Sequence, residues 1–171
     1  GMKWFQNTFT RRINAKNKLW GRLFGDRYKA VLVESDEMVE TQSAHQRGSY
    51  LATLINYVHL NPARAGLIKF GAGGSILDYQ WSSLGREYRL PPSKRKEWMA
   101  VSSALIELGH KDTAKGRRSY VGKLDEMAGQ ENKEAGLNDA SLPSEGIQNT
   151  LRRGWYWGSK EFKEAIIERF R

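Results

Sequence analysis

Tyr57-Val58-His59-Leu60-Asn61-Pro62-Ala63-Arg64-Ala65-Gly66-Leu67 closes an apolar run of helical period that opens near Tyr50. The pattern predicts a central helix over residues 43–61, with Leu51, Leu54, Ile55 and Val58 as its buried stripe. Tyr57 and Asn61 are four residues apart, so on a helix they share one face, about one turn from each other. Pro62 is expected to stop the helix, because the residue before a proline is pushed out of the α region. His59 points away from the Tyr57–Asn61 face and reads as a packing or hydrogen-bonding residue.

Charge narrows the partners. The chain has 171 residues, 28 Lys and Arg against 19 Asp and Glu, a net charge of +9 and a pI near 9.8. Such a surface favours polyanions, nucleic acid first and an anionic membrane second. The excess is concentrated at the start: Gly1 to Ala30 holds eight basic residues and only Asp26 against them, a local +7. There is no cysteine, which excludes disulfides, cysteine-held zinc, iron–sulfur clusters and thiol catalysis and makes a cytoplasmic setting the default. No apolar run is long enough to span a bilayer and no signal-peptide pattern opens the chain. Gly1 before Met2 reads as a remnant placed ahead of the natural start.

Working outward, residues 3–17 predict an amphipathic helix with Phe5, Phe9 and Ile13 along one side and Arg11, Arg12 and Lys16 elsewhere on it. Tyr28 to Val33 is short and rich in β-branched residues, and predicts a strand. Glu34 to Glu40 reads as an acidic loop or the first turn of a helix, and Gly71 to Gly74 as a turn. Pro91-Pro92 with Lys94-Arg95-Lys96 reads as a solvated linker and divides the chain into segments 1–90 and 91–171. Beyond it, residues 96–109 predict a helix that buries Trp98, Val101, Leu105 and Leu108. Asp112 or Thr113 is expected to cap a third helix running to about Gln130, and Gly129 to Gly146 to form a long loop. Ser159 is expected to cap a last helix, Glu161 to Phe170. His45 and His110 fall near helix ends and are expected in solvent. Core packing is expected to absorb most of the six tryptophans, Trp81 among them. The fold class is therefore mainly α with a minor β strand or hairpin near residues 28–33.

Three blocks carry a family resemblance: Leu23-Phe24-Gly25-Asp26-Arg27-Tyr28-Lys29-Ala30, the Tyr57-to-Leu67 stretch, and Asp78-Tyr79-Gln80-Trp81-Ser82-Ser83. In order and spacing they resemble the C-terminal part of the single-tyrosine HUH transposases, near the REP-associated tyrosine transposases. Thr10-Arg11-Arg12-Ile13-Asn14 is similar to the segment before the family's first block. Arg152-Arg153-Gly154-Trp155 with Gly158-Ser159-Lys160-Glu161-Phe162 resembles a tail motif of its larger bacterial members.

The resemblance implies a truncated α+β transposase domain over residues 1–90, followed by a helical C-terminal extension over 91–171. It also implies a chemistry: a tyrosine phenolate attacks a DNA phosphodiester to form a 5′-phosphotyrosine link, while magnesium or manganese polarises the phosphate. Tyr57 matches the nucleophile and Asn61 the polar metal ligand; without the family's histidines, the residues themselves favour Tyr57 as an amphipathic core residue whose hydroxyl finds a partner, and Asn61 as a cap of the helix end or a bond to the turn at Pro62. The family's His-hydrophobic-His motif has no counterpart here, since His45, His59 and His110 are never two residues apart. No cofactor is therefore expected on this chain by itself, and magnesium or manganese only with a complete family site.

The first functional expectation is a transposase-derived DNA-binding protein without independent catalysis, meeting DNA, single-stranded or hairpin, through phosphate contacts. The residues expected to make them are Arg11, Arg12, Lys16, Lys18, Arg22, Arg27, Lys29, Arg64, Arg152 and Arg153. For Arg64 a salt bridge is an equal alternative. For Arg152 and Arg153 the alternative is a surface pair over aromatic rings. The second expectation is an active transposase or DNA nickase whose missing histidines lie upstream. The third is a structural or RNA-contacting module. Because most of the family's sheet is absent, Val31 to Val33 and the apolar face of the central helix need cover, either from the C-terminal helices or from a second copy in a homodimer.

Overall fold

A computed structural model of the chain describes residues 1–25, 28–34, 49–68, 73–135 and 154–170, with the backbone alone for 131–135. The described part is mainly helical: α1 (Met2–Asn17), β1 (Leu32–Val33), α2 (Tyr50–Arg64), α3 (Val101–Glu107), α4 (Ala114–Ala135), β2 (Tyr156–Trp157) and α5 (Lys160–Arg169). Three short 3-10 turns, Ile76–Asp78, Glu87–Arg89 and Pro92–Lys94, join α2 to α3. No described helix is long and apolar enough to cross a membrane.

The central helix runs through Pro62 and ends at Arg64. Proline removes one N–H but does not break this last turn. The stop comes from Gly66, whose φ of +67° is a conformation that glycine reaches without a Cβ penalty. With it, the Gly66 N–H donates to the Ala63 carbonyl and the Leu67 N–H to the Pro62 carbonyl, each at 2.9 Å, a Schellman closure. At the other end Ser49 caps the helix, its Oγ accepting from the Ala52 N–H at 3.2 Å while donating to Glu107 at the end of α3.

The buried face of α2 differs from the expected stripe. Val58 is 54% exposed, whereas His59, Leu60 and Ala63 are buried and Ala52 and Ile55 pack against the core. That set repeats at three- and four-residue steps, rotated from the predicted one because it meets α3, α4 and the first 3-10 turn. Leu60, Ile76, Leu84, Val101, Leu105, Tyr120 and Leu124 fill the centre. One core thus draws on residues from both sides of position 91.

The 91–96 segment is solvated, as expected, at every residue but Arg95. The Arg95 side chain is 4% exposed and grips Asp112 with two bonds, 2.5 and 2.8 Å. It also donates to Ser102 Oγ and to the Glu87 carbonyl, while Arg117 reaches the same carboxylate at 2.6 Å. Three basic residues in a row gave no sign of this, because the partner lies seventeen residues away. Trp98, expected inside, is 74% exposed beneath the Lys96 ammonium, while Val101, Leu105 and Leu108 are buried as expected. Thr113 caps α4, its Oγ1 accepting from the Gly116 N–H at 3.1 Å. The helix continues to Ala135, into the stretch expected as a loop, and the rest of that stretch lies outside the described residues.

The strand expected over 28–33 is reduced to Leu32–Val33 and pairs in parallel with Tyr156–Trp157. The edge is therefore covered by the C-terminal part of the same chain, through a strand and not through its helices. Glu34, at the start of the acidic stretch, is buried. Its carboxylate accepts from the Ser159 N–H at 2.5 Å and from Ser159 Oγ at 2.8 Å, at the N-terminus of α5. Ser159 caps that helix by accepting from the Phe162 N–H, as its sequence position predicts. Trp157 packs edge-on against Tyr50, which joins this clasp to α2.

Candidate functional site

Two regions hold the residues singled out by sequence: the outer face of α2 and the N-terminal arm. In α2 the chain is helical from Tyr50 to Arg64, so Tyr57, Asn61 and Arg64 emerge along one side at successive turns. Tyr57 is half-buried and Asn61 exposed. The Arg64 guanidinium lies 5.3 Å from the centre of the Tyr57 ring, a cation–π distance.

His59 belongs to the other side of the helix. It is 6% exposed and wedged between Tyr88 and Tyr120. Its Nδ1 lies 2.9 Å from the Tyr120 hydroxyl and its Nε2 3.2 Å from Ser83 Oγ, while Tyr120 donates to Asn56 Oδ1 at 3.1 Å. The network is complete with a neutral ring: Nδ1–H donates to Tyr120, and Nε2 accepts from Ser83. Burial pushes His59 down to about 4 and raises both the Tyr88 hydroxyl, to about 12, and that of Tyr120. His110 is not in open solvent. Its ring lies tilted against Tyr120, 5.6 Å between centroids, and burial, then Lys123, lowers its pKa. His45 lies outside the described residues.

A metal at the Tyr57–Asn61 face would need ligands that the described residues do not bring there. Asn61 offers one amide oxygen, and the imidazole two residues before it is committed to Tyr120 and Ser83 inside the core. Among the described residues no three His, Asp or Glu side chains gather as a metal-holding group. A magnesium-type ion wants several oxygens in near-octahedral order, so these residues do not fit one.

The N-terminal arm is different in kind. Between Gly1 and Gly25 no residue is buried, and the apolar stripe of α1 lies open. Phe5 stacks on Phe9 at 5.9 Å, and Phe9 meets Phe24 at 6.2 Å, which folds the following loop back along the helix. Lys18 ends α1 in the left-handed conformation, and Asn14 Nδ2 holds the Gly21 carbonyl at 2.9 Å. This return creates a groove of about 890 Å³ lined by Lys3, Gln6, Thr10, Arg22, Phe24 and Tyr28, among others. A second hollow of about 500 Å³ lies beside Arg11, Lys18 and Trp20.

Arg11, Arg12, Lys16, Lys18, Arg22 and Lys29 are all exposed. Trp20 is 98% exposed, and Trp4 and Tyr28 also face solvent. Arg64 sits away from this cluster in sequence and contacts Tyr57. Arg27, Arg152 and Arg153 lie outside the described residues. The groove adds Lys3, Gln6 and Thr10, none of them among the expected phosphate contacts. Their signal was the four-residue spacing of Gln6 and Thr10 beside a basic stripe. Core packing does not absorb the tryptophans: five of the six are exposed, including Trp81 at 76%. No protein-family model, curated protein or solved structure matches the chain.

Proposed function

We propose that this chain is a DNA-binding protein derived from a single-tyrosine transposase, which grips its ligand through the N-terminal arm and does not cut it unaided. The observation that supports this reading is the arm itself. Its unburied basic side chains and aromatic rings line two hollows, Lys3, Arg22, Phe24 and Tyr28 on one and Arg11, Lys18 and Trp20 on the other, where guanidinium and ammonium groups can meet phosphates and the rings offer stacking planes. The sequence resemblance supplies DNA as the polyanion. With His59 committed to the core, Asn61 is left as a single ligand beside Tyr57, too few for a magnesium-type ion, which supports a binding role over cleavage by these residues unaided.

The test is a salt titration of binding to a labelled hairpin and to a single strand, between about 50 and 200 mM salt. Each phosphate neutralised contributes a slope of about −0.7 in log affinity against log salt on a single strand. Replacing Arg11, Arg12 and Lys16 by glutamate should flatten the slope by roughly two and weaken binding at low salt. An affinity that ignores both salt and these three substitutions would remove the proposal. A covalent adduct formed with manganese and lost in Tyr57→Phe would replace binding with strand cleavage as the function.

A further inference from the structure

A further cavity, of about 560 Å³, opens in the core-forming part of the chain, between the 3-10 turns and α4, with no residue of the arm in its lining. We propose that it binds a nucleotide, free or at the end of a strand, with the phosphate on Arg89 and Arg118 and the base against Leu77 and Val121. The volume falls within the range of small-ligand sites, roughly 300–1,000 Å³. One wall is a single stripe of α4, in which Arg118, Val121, Gly122 and Asp125 recur at helical spacing.

Four features of the walls specify the ligand. First, the charge is positive. Asp112 neutralises one of the two arginines it holds, Arg95 and Arg117, so that group keeps one positive charge. Arg89 and Arg118 add two more, are exposed, and make no hydrogen bond or ion pair among the described residues. The planar guanidinium fork suits phosphate oxygens two at a time. Second, half-buried Leu77 and Val121 offer apolar surface that a bare anion would not use.

Third, Asp125 is a carboxylate in an otherwise cationic pocket. Its Oδ1 accepts from the Ile76 N–H at 2.6 Å and, with Oδ2, from Ser75 Oγ. Oδ2 therefore keeps a lone pair for an N–H donor on the ligand, as the amino and ring N–H groups of bases supply. Fourth, Gly122 sits in the middle of a helix, where glycine weakens the fold relative to alanine. A Cβ built there meets nothing within 4 Å, so the packing of the protein does not require glycine at this position. The missing side chain leaves room on the cavity wall.

Calorimetric titration of the full chain with the deoxynucleoside 5′-monophosphates tests this, with inorganic phosphate as the comparison. Arg118→Glu should weaken binding by about tenfold or more, the worth of a charge-assisted contact turned repulsive. Gly122→Leu should abolish binding while the melting temperature holds or rises, which separates a blocked site from a damaged fold. Tighter binding of a 5′-phosphorylated oligonucleotide than of its 5′-hydroxyl form, a difference that both substitutions remove, supports the site with a strand end as its source. Inorganic phosphate bound as tightly as the nucleotides overturns the assignment. So does the absence of any binding, or binding that both substitutions leave unchanged.

Discussion

His59 should make this protein progressively less stable as the pH falls below 6.5, in a window where most proteins are near their optimum. The ring is neutral and buried in the fold, with its pKa near 4, whereas in the unfolded chain it titrates at about 6.5. Between these values the unfolded state binds a proton that the folded state refuses, so stability rises with pH across the window. It is fully present above 6.5 and lost as the pH falls toward 4. The two pKa values differ by about 2.5, which corresponds to roughly 3 kcal/mol once both are passed. Between pH 7 and pH 5, before ordinary carboxylates titrate heavily, about 2 kcal/mol of it should disappear. Asp112 does not interfere, because Arg95 holds its carboxyl well below that range. His110 is lowered in the same direction and adds to the slope. Urea unfolding at pH 7, 6 and 5 measures the effect, with His110→Gln to remove the second histidine. His59→Gln should lower stability at pH 7, since its ring bonds to Tyr120 and Ser83 are lost, and should flatten the remaining dependence. A parent protein whose stability is flat from pH 7 to 5, or a His59→Gln protein with an undiminished slope, would refute the account of a buried neutral imidazole.

Asp112→Ala strands a guanidinium whose side chain is 4% exposed, and should cost about 3–5 kcal/mol in urea unfolding. The loss should be far smaller if Arg95 is replaced by methionine in the same protein. Gly158→Ala places a methyl 2.5 Å from the Phe162 ring and 2.8 Å from Glu34, and should destabilise by about 1–3 kcal/mol. Hydrogen exchange should then rise chiefly over residues 155–169, and unchanged protection there would show that the clasp tolerates a side chain.

Local chemistry was legible wherever a feature is satisfied within a few residues. Helical periods placed α1, α2 and α5, and Ser159 and Thr113 cap their helices where their sequence positions suggested. The concentration of positive charge in the first thirty residues was likewise plain, and the arm carries it in the open. Pro62 does not terminate α2; Gly66 does, because a proline in a last turn removes one donor without forbidding the turn.

What the tertiary structure alone decided is which surfaces meet. The partner of His59 lies sixty-one residues on, and that of Glu34 one hundred and twenty-five. No periodicity records such distances. A tryptophan has the same sequence whether it is buried or, like Trp20, Trp81 and Trp98, left in solvent. A run of lysine and arginine likewise hides the one member that a distant carboxylate draws inside. The sequence determined the helices and the charge they carry. Burial, and with it the protonation of His59 and the hollow beneath Arg118, depended on which distant segments the fold brought together.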